Sequence, residues 1–464
     1  MKNYKVSEFL ILETLTIKDA LRMIESNKLG FIFVMNKSLN VIGLVTDGDI
    51  RRALLNGITI NDEIFKCANK RFVRANIDTP RENLIKQLDN KIRFIPLLDD
   101  ANKLISIFTK DNLPLREEVP VYVRARAPVR ISFGGGGSDL THYFAQSSGA
   151  VINAAISIYS HATMRIRDDG IIYINSRDLK ESITISNIDE INIKDSKFGL
   201  IKSIIKVISP KFGFDLYLHS DFPVGSGLGG SATLSAAVLG CFNELRQDKW
   251  NDHEISEMAF EAERLNLGIA GGWQDQYAAV FGGFNFIEFE MHQNVINPLR
   301  INPDIQMELE ESLVLCDTGI LHNSGNIHQD QENTMSSEDI KSLVKENVKL
   351  TYKIKNLLLS GKLDNFGDCL NEAWKLKRNF SEKITNKKID SIYEGAINNG
   401  ALGGKLLGAG GGGFFIFYVP PFSKNQLLDY LSNQKLNVQP FNFDLKGLTS
   451  ITSRKNKNHK LFKE

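Results

Sequence analysis

The chain has 464 residues, 42% of them hydrophobic, and a formal net charge of +1. That length exceeds one ordinary domain and supports two or three with substantial cores. The near-neutral balance argues against a general nucleic-acid-binding role. Cys67, Cys241, Cys316 and Cys369 are scattered without metal-ligand spacing and read as free thiols of a reducing compartment. The N-terminus has no apolar signal region, and no apolar run reaches the roughly 18 residues of a membrane span. A soluble cytoplasmic protein without membrane contact is expected.

Residues 1–115 carry an internal repeat. Phe94 repeats Phe31 and Thr109 repeats Thr46 at one constant offset. Each copy reads as helix, strand, turn, strand, helix. In the first copy these are a helix at Ile17–Ile24, strands at Leu29–Met35 and Val41–Val45, and a helix at Asp49–Leu55. Two such units, with Gly43, Thr46 and Asp49 in a Gly-apolar-apolar-Thr-x-x-Asp pattern, resemble a CBS-domain pair, an α/β module. The resemblance implies one adenine nucleotide held by Thr46 and Asp49. Asn112 replaces the second aspartate, so one site is expected, not two. A module that is only structural, or that joins two chains as a homodimer, stays open beside it. Pro114 and Pro120 bracket charged residues and mark a linker at 116–123.

The next unit, 124–320, opens with a strand at Val129–Phe133 running into Gly134–Gly137, Ser138 and Asp139. Such a loop can bend sharply beside a substrate, while Asp139 accepts bonds from hydroxyls or caps the helix Leu140–Ala145. Apolar runs at Ala150–Tyr159, Thr163–Ile166 and Ile171–Ile174 suggest an antiparallel sheet. After a helix near Leu200–Ile208 and a strand at Phe214–His219 comes the glycine-rich run Pro223–Thr233, then helical Leu234–Leu239. Strand, glycine loop and helix form an anion site, because small residues allow close approach and helix N–H groups point outward. No Walker lysine is present. Gly225, Gly227 and Gly230 match the dinucleotide fingerprint only formally. A helical stretch at Glu254–Leu265 carries Glu263 off its apolar stripe, and Asp275 follows a run of small residues. Helices at about Ser336–Ser360 and Leu363–Lys377 and a second glycine run, Gly403–Gly413, before the strand Phe414–Val419 complete a unit at 321–455.

Three ordered segments resemble the motifs of the GHMP kinases: the Ala-Pro-x-Arg segment with Arg130, the phosphate loop, and Lys405–Gly413. The resemblance implies an α+β, two-domain catalytic region of antiparallel sheets with helices. It implies ATP held by Pro223, Gly225, Ser226, Gly227, Leu228, Gly229, Gly230, Ser231 and Ala232. It assigns Mg²⁺ to Ser231 and Glu263, catalysis to Asp275 and Arg130, and the sugar to Gly136, Gly137, Ser138, Asp139, Gly410 and Gly411. One branch, the D-glycero-D-manno-heptose 7-phosphate kinases, resembles the chain at greater length. It implies phosphorylation of the anomeric hydroxyl to a 1,7-bisphosphate. Trp273 and His322 depart from that branch, which expects lysine and arginine there. Another sugar such as fucose, or an inactive nucleotide-sensing kinase domain, are the alternatives.

Overall fold

The computed structural model describes residues 5–79, 81–88, 92–109, 121–188, 191–193, 197–320, 324–334 and 337–454. Asn112, His322 and most of the expected linker lie outside the described residues. The N-terminal module holds two three-stranded sheets. One is ordered Leu10–Leu12, Phe31–Met35, Val41–Thr46, the other Ala75–Asn76, Phe94–Leu98, Leu104–Thr109. Phe31 pairs with Thr46, and Phe94 with Thr109, so repeated residues hold equivalent register positions. The two phenylalanine rings stack on each other with centroids 3.5 Å apart. The copies therefore meet through the residues that revealed the repeat.

The strand Gly149–Arg167 organises an eight-stranded sheet. Its first part pairs with Phe284–Glu290 and its last part with Gly213–Ser220. Its other edge pairs with Val121–Gly134. The two runs expected as separate strands are one 19-residue strand, because no glycine or proline interrupts them. The sheet is mixed: Gly213–Ser220 runs parallel to Ile172–Ser176 and antiparallel to Gly149–Arg167. Helices Gly199–Ile208, Gly230–Glu244, Asp252–Phe260 and Gln274–Phe281 contribute Ile204, Ala236, Ile255 and Val280 to one core with Met164 and Leu216.

A second sheet, antiparallel, is ordered Gly403–Leu406, Phe414–Tyr418, Leu313–Asp317, Asn437–Val438. Helices Glu338–Leu359 and Leu363–Lys377 bring Ile354, Phe366 and Leu370 into a core shared with Ile131 and Phe133 of the first sheet. The α+β architecture is the one expected. The boundaries at 320 and 321 are not those of the sheets. Leu313–Asp317 belongs to the second sheet, and Thr449–Arg454 returns to pair with Val121–Gly134. Pattern within a strand says nothing about its partner in space, which is why both crossings escape a linear reading.

Candidate active site

The phosphate loop leaves the strand Gly213–Ser220 and enters the helix Gly230–Glu244. Gly225, Gly227 and Gly229 have φ of +80°, +74° and +82°, in the left-handed region that side chains avoid. Leu228 is fully buried and pins the loop to the core. The loop forms one wall of a cleft of about 500 Å³, with Gly225, Ser226, Gly227, Gly229, Gly230 and Ser231 all on it. Leu228 and Ala232 are buried in the core, and Pro223 is exposed off the lining. These three expected nucleotide residues shape the loop instead of facing the cleft.

Arg130 comes from the long strand Val121–Gly134 and is only 3% exposed. Its Nε donates to Asp275 Oδ1 at 2.8 Å, Nη2 lies 2.7 Å from the same oxygen, and Nη1 donates to the Gly227 carbonyl at 3.0 Å. One guanidinium thus ties the phosphate loop to Asp275, which stands in the first turn of the helix Gln274–Phe281. A β-carbon at Gly229 would lie 3.1 Å from Asp275 Oδ2. The absence of that carbon lets loop and carboxylate meet.

Glu263 is 1% exposed and sits where its helix widens into a π turn, Glu261–Asn266. Such turns often mark functional sites. Ser231 Oγ donates to Glu263 Oε1, and Gln276 Nε2 donates to Oε2 at 2.9 Å. Arg264 Nη1 lies 3.2 Å from Oε1. A carboxylate and a hydroxyl in contact at the phosphate loop are hard oxygen donors that fit Mg²⁺, which takes few protein ligands and keeps several waters.

The loop after Arg130 divides its roles. Ser138 Oγ donates to the Gly135 and Ala150 carbonyls and accepts from the Ala150 N–H. Fully buried, it holds the loop and is not free to meet a sugar. The Gly136 carbonyl accepts from Asn347 Nδ2 at 3.2 Å. Gly137 N–H donates to Asp139 Oδ1 at 3.1 Å, and Gln274 N–H to its Oδ2 at 3.4 Å. Burial, then neighbouring Asp275, push the Asp139 carboxyl above its usual range, against these N–H donors. A β-carbon at Gly272 would sit 1.8 Å from Asp139 Oδ2, so the small residues before Asp275 make room for Asp139.

Two lysines complete the centre. Lys377 ends the helix Leu363–Lys377 and donates to the Gly408 carbonyl. Burial, then Arg130, lower its pKa to about 8, opposed by Asp139 and Asp275. Lys405 is 2% exposed, and burial, then Lys377 and Arg130, hold its ammonium well below its usual range. Gly408 and Ala409 reach the cleft, whereas Gly410 and Gly411 are not on its lining. Gly411 N–H donates to the Ile384 carbonyl at 2.8 Å, and a β-carbon on Gly410 would meet Ile384. These two glycines turn the chain against Ile384.

Sequence reading missed Lys405 as a site group, and Arg264 and Gln276 beside Glu263. Each was visible as a polar residue inside a recognised segment, but its burial was not. Trp273 stacks on Phe260 with centroids 3.5 Å apart, and its Nε1 donates to Thr141 Oγ1 at 3.2 Å. In the N-terminal module, Thr46 and Asp49 form a capping box. Asp49 Oδ2 accepts from Thr46 N–H at 2.9 Å and from its hydroxyl at 2.6 Å, starting the helix Asp47–Leu55.

Residues 199–283 match the GHMP kinases N terminal domain, and 354–437 the GHMP kinases C terminal domain. A D-glycero-alpha-D-manno-heptose 7-phosphate kinase of Campylobacter jejuni is 37% identical over 334 residues, 71% of this chain and 98% of that protein. The chain belongs to the GHMP kinase family. It is a small-molecule kinase of that family, with a CBS domain at its N-terminus, matched over residues 7–56. Among solved structures, a D-glycero-D-manno-heptose 1-phosphate kinase from Bacteriodes thetaiotaomicron superposes with a TM-score of 0.59 at 31% identity. The match covers 71% of this chain and 98% of that one. A putative sugar kinase from Campylobacter jejuni gives 0.58 at 35%, covering 72% and 98%. The bifunctional fucokinase/GDP-fucose pyrophosphorylase of Arabidopsis thaliana is 28% identical over 341 residues, 67% of this chain but 31% of that protein. Among the described residues no helix is long and apolar enough to cross a membrane.

Proposed function

We propose that this GHMP kinase transfers the γ-phosphoryl group of ATP to O1 of D-glycero-D-manno-heptose 7-phosphate, giving the 1,7-bisphosphate for nucleotide-activated heptose synthesis. The observation that carries the reading is the Arg130–Asp275 pair against the phosphate loop, in a chain that matches the Campylobacter kinase over 98% of its length. The loop N–H groups from Gly225 to Ser231 cradle the ATP phosphates. Ser231 and Glu263 hold Mg²⁺, which offsets charge on the phosphates when bound. Asp275 takes the proton from the sugar O1 hydroxyl as O1 bonds to the γ-phosphorus. The bond from that phosphorus to the β–γ bridging oxygen breaks, and ADP leaves. Arg130, fixed between Asp275 and the loop, orients the base and offsets charge on the transferred group.

Asp139 accepts from ring hydroxyls. The second phosphate needs positive charge, and Lys377, buried beside Arg130 and charged below about pH 8, supplies it. Of the three basic residues that close the helix Leu363–Lys377, Lys375 is exposed and Arg378 pairs with Asp390 at 2.8 Å, leaving Lys377 to face inward. The catalytic units are taken as 124–320 and 321–455, with the two crossing strands exchanged. The N-terminal pair binds one adenine nucleotide through Thr46 and Asp49, biases kinase activity, and pairs two chains. The enzyme acts in the cytoplasm, a setting supported by four free, buried cysteines.

The deciding experiment compares kcat/KM for D-glycero-D-manno-heptose 7-phosphate, free heptose, fucose and galactose. Charge-assisted bonds to the 7-phosphate should give the first a preference of at least about tenfold, one such bond's energy. A free sugar that matched it would overturn the substrate and leave the kinase standing.

A further inference from the structure

The opposite face of the phosphate-loop strand carries a cluster that phosphoryl transfer does not use. His161 and His219 are directly paired across the strands Gly149–Arg167 and Gly213–Ser220. Their rings lie parallel within 3°, with centroids 4.4 Å apart. Asp221, at the end of the second strand, places Oδ2 at 3.2 Å from His161 Nε2. One ligand atom from each of the three lies within 4.8 Å of the others. Side chains alternate along a strand. Leu218 and Ser220 line the cleft, so His219 faces away from it. Ser160 meets Ser220 and Thr233 on the inner side, so His161 likewise faces outward.

We infer that His161, His219 and Asp221 bind one divalent transition-metal ion of the zinc class, at a site separate from the Mg²⁺–ATP cleft. Two imidazoles and a carboxylate are the donor set such ions take, leaving a fourth position for water. Mg²⁺ prefers an all-oxygen octahedron and does not compete. A tetrahedral zinc with bonds of about 2.0–2.1 Å separates its ligand atoms by roughly 3.3 Å. His161 and Asp221 already meet that spacing. The two edges to His219 are no longer than 4.8 Å.

Two further observations point to a ligand. His219 Nδ1 is buried and has no hydrogen-bond partner, and buried polar atoms left so are rare. The Tyr159 N–H donates to Asp221 Oδ2 at 3.0 Å, the kind of outer bond that orients a ligating carboxylate. All four cysteines are buried, so thiols do not offer a competing surface site. Asp221 lies two residues before Pro223, where the phosphate loop starts. A bound ion would therefore tie the loop's entry to the sheet. The inference stands whether or not the substrate reading holds.

The test uses chelator-treated full-length protein with zinc chloride in excess Mg²⁺, followed by calorimetry, and cobalt(II) as a visible probe. One saturable site is expected. His161→Gln and His219→Gln should each weaken it at least about tenfold, the lower end of what even an outer partner's loss costs. Unchanged circular dichroism and kinase activity would show that both variants fold. The absence of saturable binding to the wild-type chain overturns the site without reference to any variant. Wild-type affinity retained in both variants overturns it too, by sending the ion elsewhere. Anomalous scattering at the zinc edge in crystals of the wild-type chain should place the ion between the two histidines.

Discussion

Replacing Asp275 with Asn separates chemistry from architecture. Asn keeps an oxygen where Arg130 Nε and Nη2 now find Oδ1, at 2.8 and 2.7 Å. Arg130 also keeps the Gly227 carbonyl at 3.0 Å. The buried guanidinium is therefore not left unpartnered, and the roughly 3–5 kcal/mol cost of breaking a buried ion pair should not appear in full. The fold should survive, with loss of stability nearer 1–2 kcal/mol, the scale of weakening one charged hydrogen bond. What Asn cannot do is take the proton of O1. A positioned base contributes about 10²–10⁴-fold, equal to about 3–5 kcal/mol of barrier. Steady-state ADP release at saturating ATP and sugar phosphate gives kcat, and thermal melting followed by circular dichroism gives the fold. A folded Asp275→Asn enzyme with kcat within about threefold of wild type would refute proton transfer to Asp275. Catalysis would then rest on positioning and on Arg130, as phosphoryl transfer allows.

Glu263→Gln should raise the Mg²⁺ concentration for half-maximal rate several-fold while leaving sugar KM nearly unchanged. An unmoved Mg²⁺ titration would remove Glu263 from the metal site. Lys377, with its pKa lowered to about 8 by burial, should be charged below that pH and neutral above it. kcat/KM for the phosphorylated sugar should therefore fall as pH rises through about 8, and Lys377→Met should lose that limb. The stability sign is opposite: between about 8 and the unfolded value of 10.5 only the unfolded chain holds the proton, so the cost of burying the charge is relieved as pH rises. Melting of wild type against Lys377→Met across that window checks it. Thr46→Ala should remove the capping box at a cost of about 1 kcal/mol. It should also abolish AMP binding to the full chain by calorimetry, and AMP heat that survives the change would leave Thr46 a purely structural role.

The glycine loops were legible because composition alone dictates them. A run such as Pro223–Thr233 between a strand and a helix has few physical uses, and its left-handed φ values require glycine. The repeat was legible because Phe31 and Thr46 recur in one register. What stayed hidden depends on contacts between distant segments. Ser138 looked like a sugar ligand, yet the Ala150 N–H and carbonyl consume its hydroxyl. Lys405 looked like a motif letter, yet it lies buried beside Lys377 and Arg130. Arg264 drew no reading of its own, yet it closes on Glu263 where the helix widens. No local period encodes these meetings.

The two glycine runs are best understood together. A β-carbon at Gly408 would lie 2.4 Å from the Gly227 carbonyl oxygen, and one at Gly413 would lie 2.2 Å from that of Ser226. The second run is thus packed backbone to backbone against the phosphate loop. Gly408, with φ of +67°, also offers its carbonyl to Lys377, while the Gly227 carbonyl accepts from Arg130. The contact therefore sets the distance between Lys377 on the C-terminal side and Arg130 with Asp275 on the other. Glycine in the second run is required less for phosphate binding than for letting two domains share one centre. A side chain there would separate the proposed base and phosphate loop from the buried lysines, and positioning on the ångström scale is worth orders of magnitude in rate.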